Sequence, residues 1–293
     1  MARLFDALKT RFIVNPRSGR AARALDAVRA FAASRDAQVV LTDRPRHAGE
    51  LAAAAVADDC ELVVAVGGDG TMNEIASVLV GTPAILGLIP CGSGDGLGRH
   101  LRIHGSTTHA LRILETGRPR LIDSGLADGH PFFTAAGLGF EADIAEQFNR
   151  LEHRGFLRYL LTSAHAFRRW EPQRYIVTHE HGRDEFTAFT LAVANSDQYG
   201  NNARIAPHAR ADDGSLDLCA VPPVNFFNAA PLVARLFSGT VDRARGVLSR
   251  RGTRFTVERP AAGPFHTDGE LHHAGAVVEF TIRPASLRIM APA

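Results

Sequence analysis

The sequence predicts an α/β domain built on a parallel sheet, followed by a mainly antiparallel β domain. Three observations carry this. In the first third, short apolar runs alternate with segments of helical periodicity, the pattern of right-handed βαβ units. Two of those runs, residues 61–66 and 84–90, lack polar alternation, as strands covered on both faces do. Beyond about Leu121 the chain becomes a series of short β-type runs separated by Gly, Asp, Asn and Pro clusters.

In chain order, RFIV (11–14) is a short apolar run, 21–34 is helical, QVVLT (38–42) is a strand, 48–57 is helical, and ELVVAV (61–66) and AILGLIP (84–90) are buried strands. The later β-type runs are TAAGLGFEA (134–142), YIVTHE (175–180), FTLAVAN (189–195), SLDLCAV (215–221), RFTVER (254–259), AVVEFTI (276–282) and SLRIMA (286–291). Residues 155–170 and 225–236 are the helical exceptions. Domains are expected at 1–122 and 123–285.

The length of 293 residues allows two packed cores. A net charge of +2 is too small to draw nucleic acid to the whole surface, so any basic function is local. Lys9 is the only lysine, and arginine supplies the rest of the positive charge. Cys60, Cys91 and Cys219 are odd in number and far apart, which argues against a disulfide framework or a thiolate zinc site and fits a reducing cytosol. The N-terminal stretch lacks the basic start and apolar run of a signal peptide. No segment approaches the ~18 consecutive apolar residues of a spanning helix. The expected location is therefore cytoplasmic, with any membrane met from outside.

The stretch ELVVAVGGDGTMNEIASVL (61–79) is a buried strand that ends in glycines and feeds a helix. That arrangement puts free backbone N–H groups and a positive helix end at the carboxyl edge of the sheet, where anions bind. The other reading of Gly67-Gly68-Asp69-Gly70 is a tight turn needing positive φ. The loop does not end in Gly-Lys-Ser/Thr, so it is not a Walker P-loop. It also misses G-x-G-x-x-G, and no acid follows about twenty residues on to hold a ribose, which disfavours a nicotinamide dehydrogenase. The strand at 84–90 runs into a similar turn, Cys91-Gly92-Ser93-Gly94-Asp95-Gly96-Leu97-Gly98-Arg99, the first strand of the chain leads to Asn15-Pro16-Arg17-Ser18-Gly19, and the strand at 38–42 ends at Thr42. All four segments sit where successive parallel strands should end.

These residues resemble the diacylglycerol kinase catalytic family, in its bacterial lipid kinase branch related to sphingosine and ceramide kinases. The resemblance rests on N-P-x-S-G at 15–19, Thr42 followed by His47-Ala48, G-G-D-G-T-x-N-E at 67–74 and P-x-G-S-G-D-G-L-G-R-H-L at 90–101. Further along lie A-N-S-D-Q-Y-G-N-N-A-R-I-A-P at 194–207, D-D-G-S-L-D-L at 212–218 and T-D-G-E at 267–270. It implies an N-terminal domain like that of NAD kinases and phosphofructokinases, a C-terminal β-sandwich, and a final strand near 286–293 that returns to the first domain. It implies ATP held by Asn15, Thr42, Gly67, Gly68, Asp69, Gly70, Thr71, Met72, Asn73 and Ser93, with Asp69 holding Mg²⁺ directly or through water. Glu270 is implied as the general base for a lipid hydroxyl, with Asp268 as its neighbour. A second, structural Mg²⁺ site is implied on the Asp213 carboxylate and the carbonyls of Arg210 and Ser215. From local sequence alone, Asp268-Gly269 reads equally as a hairpin turn.

The implied activity is transfer of the ATP γ-phosphoryl group to diacylglycerol. A sphingoid base or another lipid alcohol is the alternative acceptor, and a non-catalytic lipid or nucleotide sensor is the alternative class. The implied partner is a lipid at a membrane surface, with no nucleic acid and a homodimer left open. Two positions depart from the family. Asp95 stands where Asn is usual and is expected to repel a triphosphate unless protonated or metal-bound. Gly98, where alanine is common, is expected to loosen a helix start. His179-x-His181 and His272-His273 lack a third ligand for a metal. The apolar stripe of 155–170 reads either as packed core or as an entry surface for acyl chains. Arg243, Arg245, Arg250, Arg251 and Arg254 read either as a solvated surface or as a membrane-facing one.

Overall fold

A computed structural model describes residues 8–143, 167 and 170–293. The chain divides into two compact units: Met1–Ser124, Gln198–Asn202 and Pro284–Ala293 in the first, Gly125–Asp197 and Ala203–Arg283 in the second.

In the first unit, strands β1 (Thr10–Val14), β2 (Gln38–Leu41), β3 (Leu62–Gly67) and β4 (Ile85–Pro90) pair in parallel in the order β2-β1-β3-β4. The helices are α1 (Ala21–Ala33), α2 (His47–Ala57), α3 (Asp69–Leu79), α4 (Gly96–His100) and α5 (Thr107–Thr116). The periodicities above did not include α5. Helix α2 packs on α3, α1 packs on α5, and both pairs lie against the strands. Every residue of β3 is consequently buried, which is why its sequence shows no polar alternation. The register is level at the carboxyl ends. Val14 faces Leu41 and Val66, and Gly67 faces Pro90, so the residues that follow the four strands emerge side by side.

The second unit takes in the end of β5 (Arg118–Ala127), then β6 (His130–Phe132), β7 (Ala135–Gly139), β8 (Gln173–His179), β9 (Gly182–Ala188), β10 (Thr190–Ala194) and β11 (Leu216–Val221). Helix α6 (Phe226–Ser238) follows, then β12 (Leu248–Gly252), β13 (Arg254–Glu258), β14 (Gly263–Thr267), β15 (Glu270–Ala274) and the first part of β16 (Val277–Ala291). One antiparallel sheet runs β12-β11-β10-β7-β14-β15, and β16-β13-β8-β9 forms the other layer. Side chains from both layers, including Tyr175, Phe255, Phe265 and Phe280, build one dry core.

Three features correct the sequence expectations. AVVEFTI and SLRIMA are one continuous strand, β16, which passes Pro284 and a left-handed Ala285 (φ 48°) without breaking. Its last part pairs in parallel with β4, Arg288 opposite Ile85. Strands β9 and β12 are too charged to show a β pattern. They are joined by the Arg250 guanidinium, which forks onto Asp184 at 2.7 and 2.9 Å. The helix expected at 155–170 lies outside the described residues except for Phe167 and Trp170, whose indole N–H donates to the Phe189 carbonyl at 3.0 Å. All three cysteines are free and buried. Among the described residues no helix is long and apolar enough to cross a membrane.

Candidate active site

The first unit's functional residues gather because four level strands end together. Asn15 follows β1, Thr42 follows β2, Gly67-Gly68 close β3 and Cys91-Gly92 follow β4. Backbone contacts lock these ends to one another. Asn15 N–H donates to Val66 O, Thr42 N–H to Val14 O and Cys91 N–H to Gly67 O, at 2.7–2.9 Å. Arg20 N–H donates to Cys91 O at 2.9 Å. Gly19 has φ +50°, and a Cβ there would lie 2.1 Å from that same carbonyl, so this docking requires glycine. The Asn15 amide donates to the Thr71 hydroxyl at 3.1 Å and accepts from Arg17 N–H at 3.1 Å.

Asp69 opens α3 and joins the two glycine-rich loops. Its Oδ2 accepts the Asp95 N–H at 3.0 Å and its Oδ1 the Gly96 N–H at 2.9 Å, so one carboxylate serves as the cap of α4. A Cβ on Gly94 would fall 2.6 Å from Asp69 Oδ2, which reserves that position for glycine. Asp95 itself is left-handed (φ 48°) and buried, and its Oδ1 accepts the Gly92 N–H at 3.0 Å. Burial first, and the neighbouring Asp69 charge second, push its carboxyl up to about 6. The expected repulsion therefore falls first on Asp69, within the protein. Gly98 is also explained differently from the expectation: a Cβ there would sit 2.7 Å from Pro90 Cγ, so glycine permits the close packing of α4 on β4.

The sequence-named nucleotide residues do not all present side chains. Ser93 is exposed and Gly70 borders open space, whereas Met72 and Asn73 are buried within α3, Asn73 accepting from Ser77 Oγ at 3.3 Å. Met72 also lines a small, partly open pocket with Gly67, Gly68, Asp69, Asp95 and Leu97. Arginine takes the place that lysine leaves empty. Arg20 and Arg99 both act electrostatically on Asp95, and Arg99 is fixed by Nε on Gly94 O (2.8 Å) and Nη1 on Asn202 Oδ1 (3.1 Å). Glu74, the last residue of the glycine motif, caps α2 through Ala48 N–H (3.0 Å) and Gly49 N–H (3.3 Å). The sequence hinted at Glu74 and Arg99 only through their places in the motifs.

In the second unit, Asp268 (φ 49°) and Gly269 (φ +85°) form the tight turn between β14 and β15, with Thr267 facing Glu270. The hairpin-turn reading of the local sequence holds here. The Asp268 carboxylate accepts N–H bonds from Phe133 (2.9 Å), Thr134 (2.8 Å) and Ala135 (3.2 Å) and also the Thr134 hydroxyl. Asp268 is thus held as a pin, and the half-buried Glu270 is presented two residues on. His266 Nδ1 accepts the Gly269 N–H at 3.4 Å while its Nε2 faces the buried Glu141 carboxyl at 3.4 Å. Burial raises the Glu141 pKa, and the contact with His266 opposes the rise. Gly137 makes room for the pair, since a Cβ there would overlap Glu141 Oε1 at 1.7 Å.

A profile of the diacylglycerol kinase catalytic domain matches residues 9–127, and one of the YegS C-terminal NAD kinase beta sandwich-like domain matches residues 134–291. The chain belongs to the diacylglycerol kinase catalytic family, in its bacterial lipid kinase branch. It is similar to the diacylglycerol kinase of Mycobacterium tuberculosis (strain ATCC 25618 / H37Rv), 29% identical over 300 residues that cover 97% of this chain and 95% of the relative. A protein of Xanthomonas campestris pv. campestris (strain 8004) named "Probable lipid kinase YegS-like" is 32% identical over 236 residues, 75% of this chain and 69% of that one. The fold is that of a diacylglycerol kinase crystal structure from Bacillus anthracis str. Sterne, with a TM-score of 0.74 at 17% identity over 97% of this chain and 96% of the other. As a member of this family the chain is a lipid kinase, a transferase that uses ATP.

At the second implied Mg²⁺ site the Asp213 carboxylate has partners within the protein. The Asp213 carboxylate accepts the Ser215 N–H at 3.1 Å and is neutralised by Arg251 at 2.5 Å, while the Arg210 side chain turns to Asp212. A cation on Asp213 and the carbonyls of Arg210 and Ser215 would have to displace that guanidinium. Among the described residues no group of three or more His, Cys, Asp or Glu side chains is placed to hold a metal.

Proposed function

We propose that this lipid kinase transfers the γ-phosphoryl group of ATP to the free hydroxyl of diacylglycerol at a membrane surface, forming phosphatidic acid. The observation that carries the donor half is the level convergence of Asn15, Thr42, Gly67-Gly68-Asp69 and Ser93 at one carboxyl edge. There a Cβ on Gly92 would fall 2.9 Å from the Gly68 backbone and one on Gly94 2.6 Å from Asp69 Oδ2, so both positions are kept for glycine. Such a cradle offers N–H groups and hydroxyls to phosphate oxygens, and phosphoryl transfer asks the protein mainly for positioning and charge stabilisation. Mg²⁺, when bound with the nucleotide, would supply charge neutralisation of the triphosphate. Asp69, beside Asp95, is the carboxylate suited to hold it.

Glu270 takes the proton of the lipid hydroxyl, and Asp268 fixes the turn from which it acts. Diacylglycerol as the acceptor rests on the family description and on the Mycobacterium tuberculosis relative. The test is transfer of label from ATP, with Mg²⁺, into micelles containing diacylglycerol, sphingosine or ceramide, comparing the natural chain with Glu270→Ala. Labelled phosphatidic acid is expected, with turnover lowered about a hundredfold or more in the variant. Label in sphingosine alone would reassign the substrate. An unchanged rate in Glu270→Ala would remove Glu270 from the reaction.

A further inference from the structure

Helix α6 carries its apolar stripe on the outside. Phe227, Ala230, Val233, Ala234 and Phe237 recur at the three- and four-residue spacing of one helical face, and all five are exposed. Phe227 is 89% exposed, Phe237 55% and Val233 53%, so three of the six exposed large apolar side chains among the described residues belong to this helix. Leu232 and Leu236 are half-buried. A helix of a soluble domain normally turns such a stripe inward, and a contiguous exposed one marks a contact surface.

The charges beside the stripe say what kind of contact. Between Pro222 and Arg245 the only acid is Asp242, which faces His208 at 3.5 Å. Three exposed arginines stand at the C-terminal end of the helix. Arg204 lies against it through its N–H on Leu236 O at 2.9 Å and faces Asp197 at 3.7 Å, whereas Arg243 and Arg245 stand just beyond the helix end at Ser238. Aromatic side chains on one face, cations at the edge and no acid within the helix is the composition of a helix that lies in the boundary of an anionic membrane.

We infer that α6 is the membrane-docking element of this protein: its Phe227–Phe237 face enters the boundary of the bilayer, and Arg243 and Arg245 hold anionic headgroups. This rests on the proposed action at a membrane, but the two are separable because docking is read without ATP or diacylglycerol. The experiment sediments the full chain with vesicles of phosphatidylcholine, with and without phosphatidylglycerol. The natural chain should pellet with the phosphatidylglycerol vesicles. Phe227→Ser with Phe237→Ser should lower that partition about tenfold or more, and Arg243→Ala with Arg245→Ala should flatten its dependence on phosphatidylglycerol. Both double variants should keep the natural melting temperature and rate on a short-chain diacylglycerol dispersed in water.

Variants that pellet like the natural chain, or a natural chain that does not pellet, would overturn the inference. Serine substitutions that split a dimer without changing vesicle binding would overturn it in favour of a subunit interface. Loss of pelleting in the variants of a chain that labels no lipid would uphold the docking helix while removing the proposed substrate.

Discussion

The two units each fasten an aspartate with backbone N–H groups, yet the surroundings differ. In the first unit Asp69 receives two N–H groups at the start of α4, with the carboxyl of Asp95 pressed against it and held up to about 6. In the second, Asp268 receives three N–H groups and a hydroxyl within the β14–β15 turn. The first site sets two carboxyls beside each other, with Arg20 and Arg99 acting on one of them, which suits a place that takes up a cation with its nucleotide. The second ties four donors of one segment to a single carboxylate, which suits a frame that positions something else.

That contrast is broken most directly at Asp268. Asp268→Ala would leave three N–H groups in a buried stretch without acceptors, since Phe133, Thr134 and Ala135 are all buried. A loss of about 3 kcal/mol is expected, together with loss of turnover. Urea unfolding measures the first, and Glu270→Gln supplies the control, losing turnover with an unchanged midpoint. If Asp268→Ala unfolds like the natural chain, the pin is not structural.

Asp95→Asn sharpens the other side. In the folded chain Asp95 keeps its proton up to about 6, against an ordinary 3.8. Below 3.8 the group is protonated in both states and costs nothing. As pH rises from there to about 6, the unfolded chain gives up the proton first, so the natural chain loses stability across that window. Asparagine accepts the left-handed backbone and does not titrate. The variant should therefore be more stable at neutral pH by about 1–3 kcal/mol in metal-free protein, with the difference vanishing in acid. Melting temperatures across that pH range test it, and a pH-independent difference would show that the fold does not hold the Asp95 proton.

The smallest effect is expected at Glu74. Its removal to alanine uncaps α2 and should cost about 1 kcal/mol, read by thermal melting, with little change in lipid specificity.

The strand ends of the donor side are legible in the sequence because glycines and a few polar residues recur after each apolar run, and their positions do not depend on distant contacts. What escapes is whatever is made by residues far apart. Asp69 caps a helix that begins 27 residues later, and Asp268 pins a segment more than 130 residues earlier. No local pattern announces either. Strands β9 and β12 are hidden for a related reason: Arg250 and Asp184 look like solvated charges until their pairing is seen. Helix α6 shows a different limit. Its periodicity identifies the helix, but the inference that an apolar stripe faces inward fails where the stripe serves a contact outside the domain.

Strand β16 has a consequence for how the protein is made. The edge of β4, which ends at Pro90, is closed by a segment centred near Arg288. During synthesis that edge stays uncovered while the whole second unit is translated. At about 5–20 residues per second this is an interval of many seconds. Through it a nascent chain would expose the hydrogen-bonding edge of an apolar strand, the kind of surface on which strands of neighbouring chains pair. A ribosome stalled before Pro284 would hold that edge open.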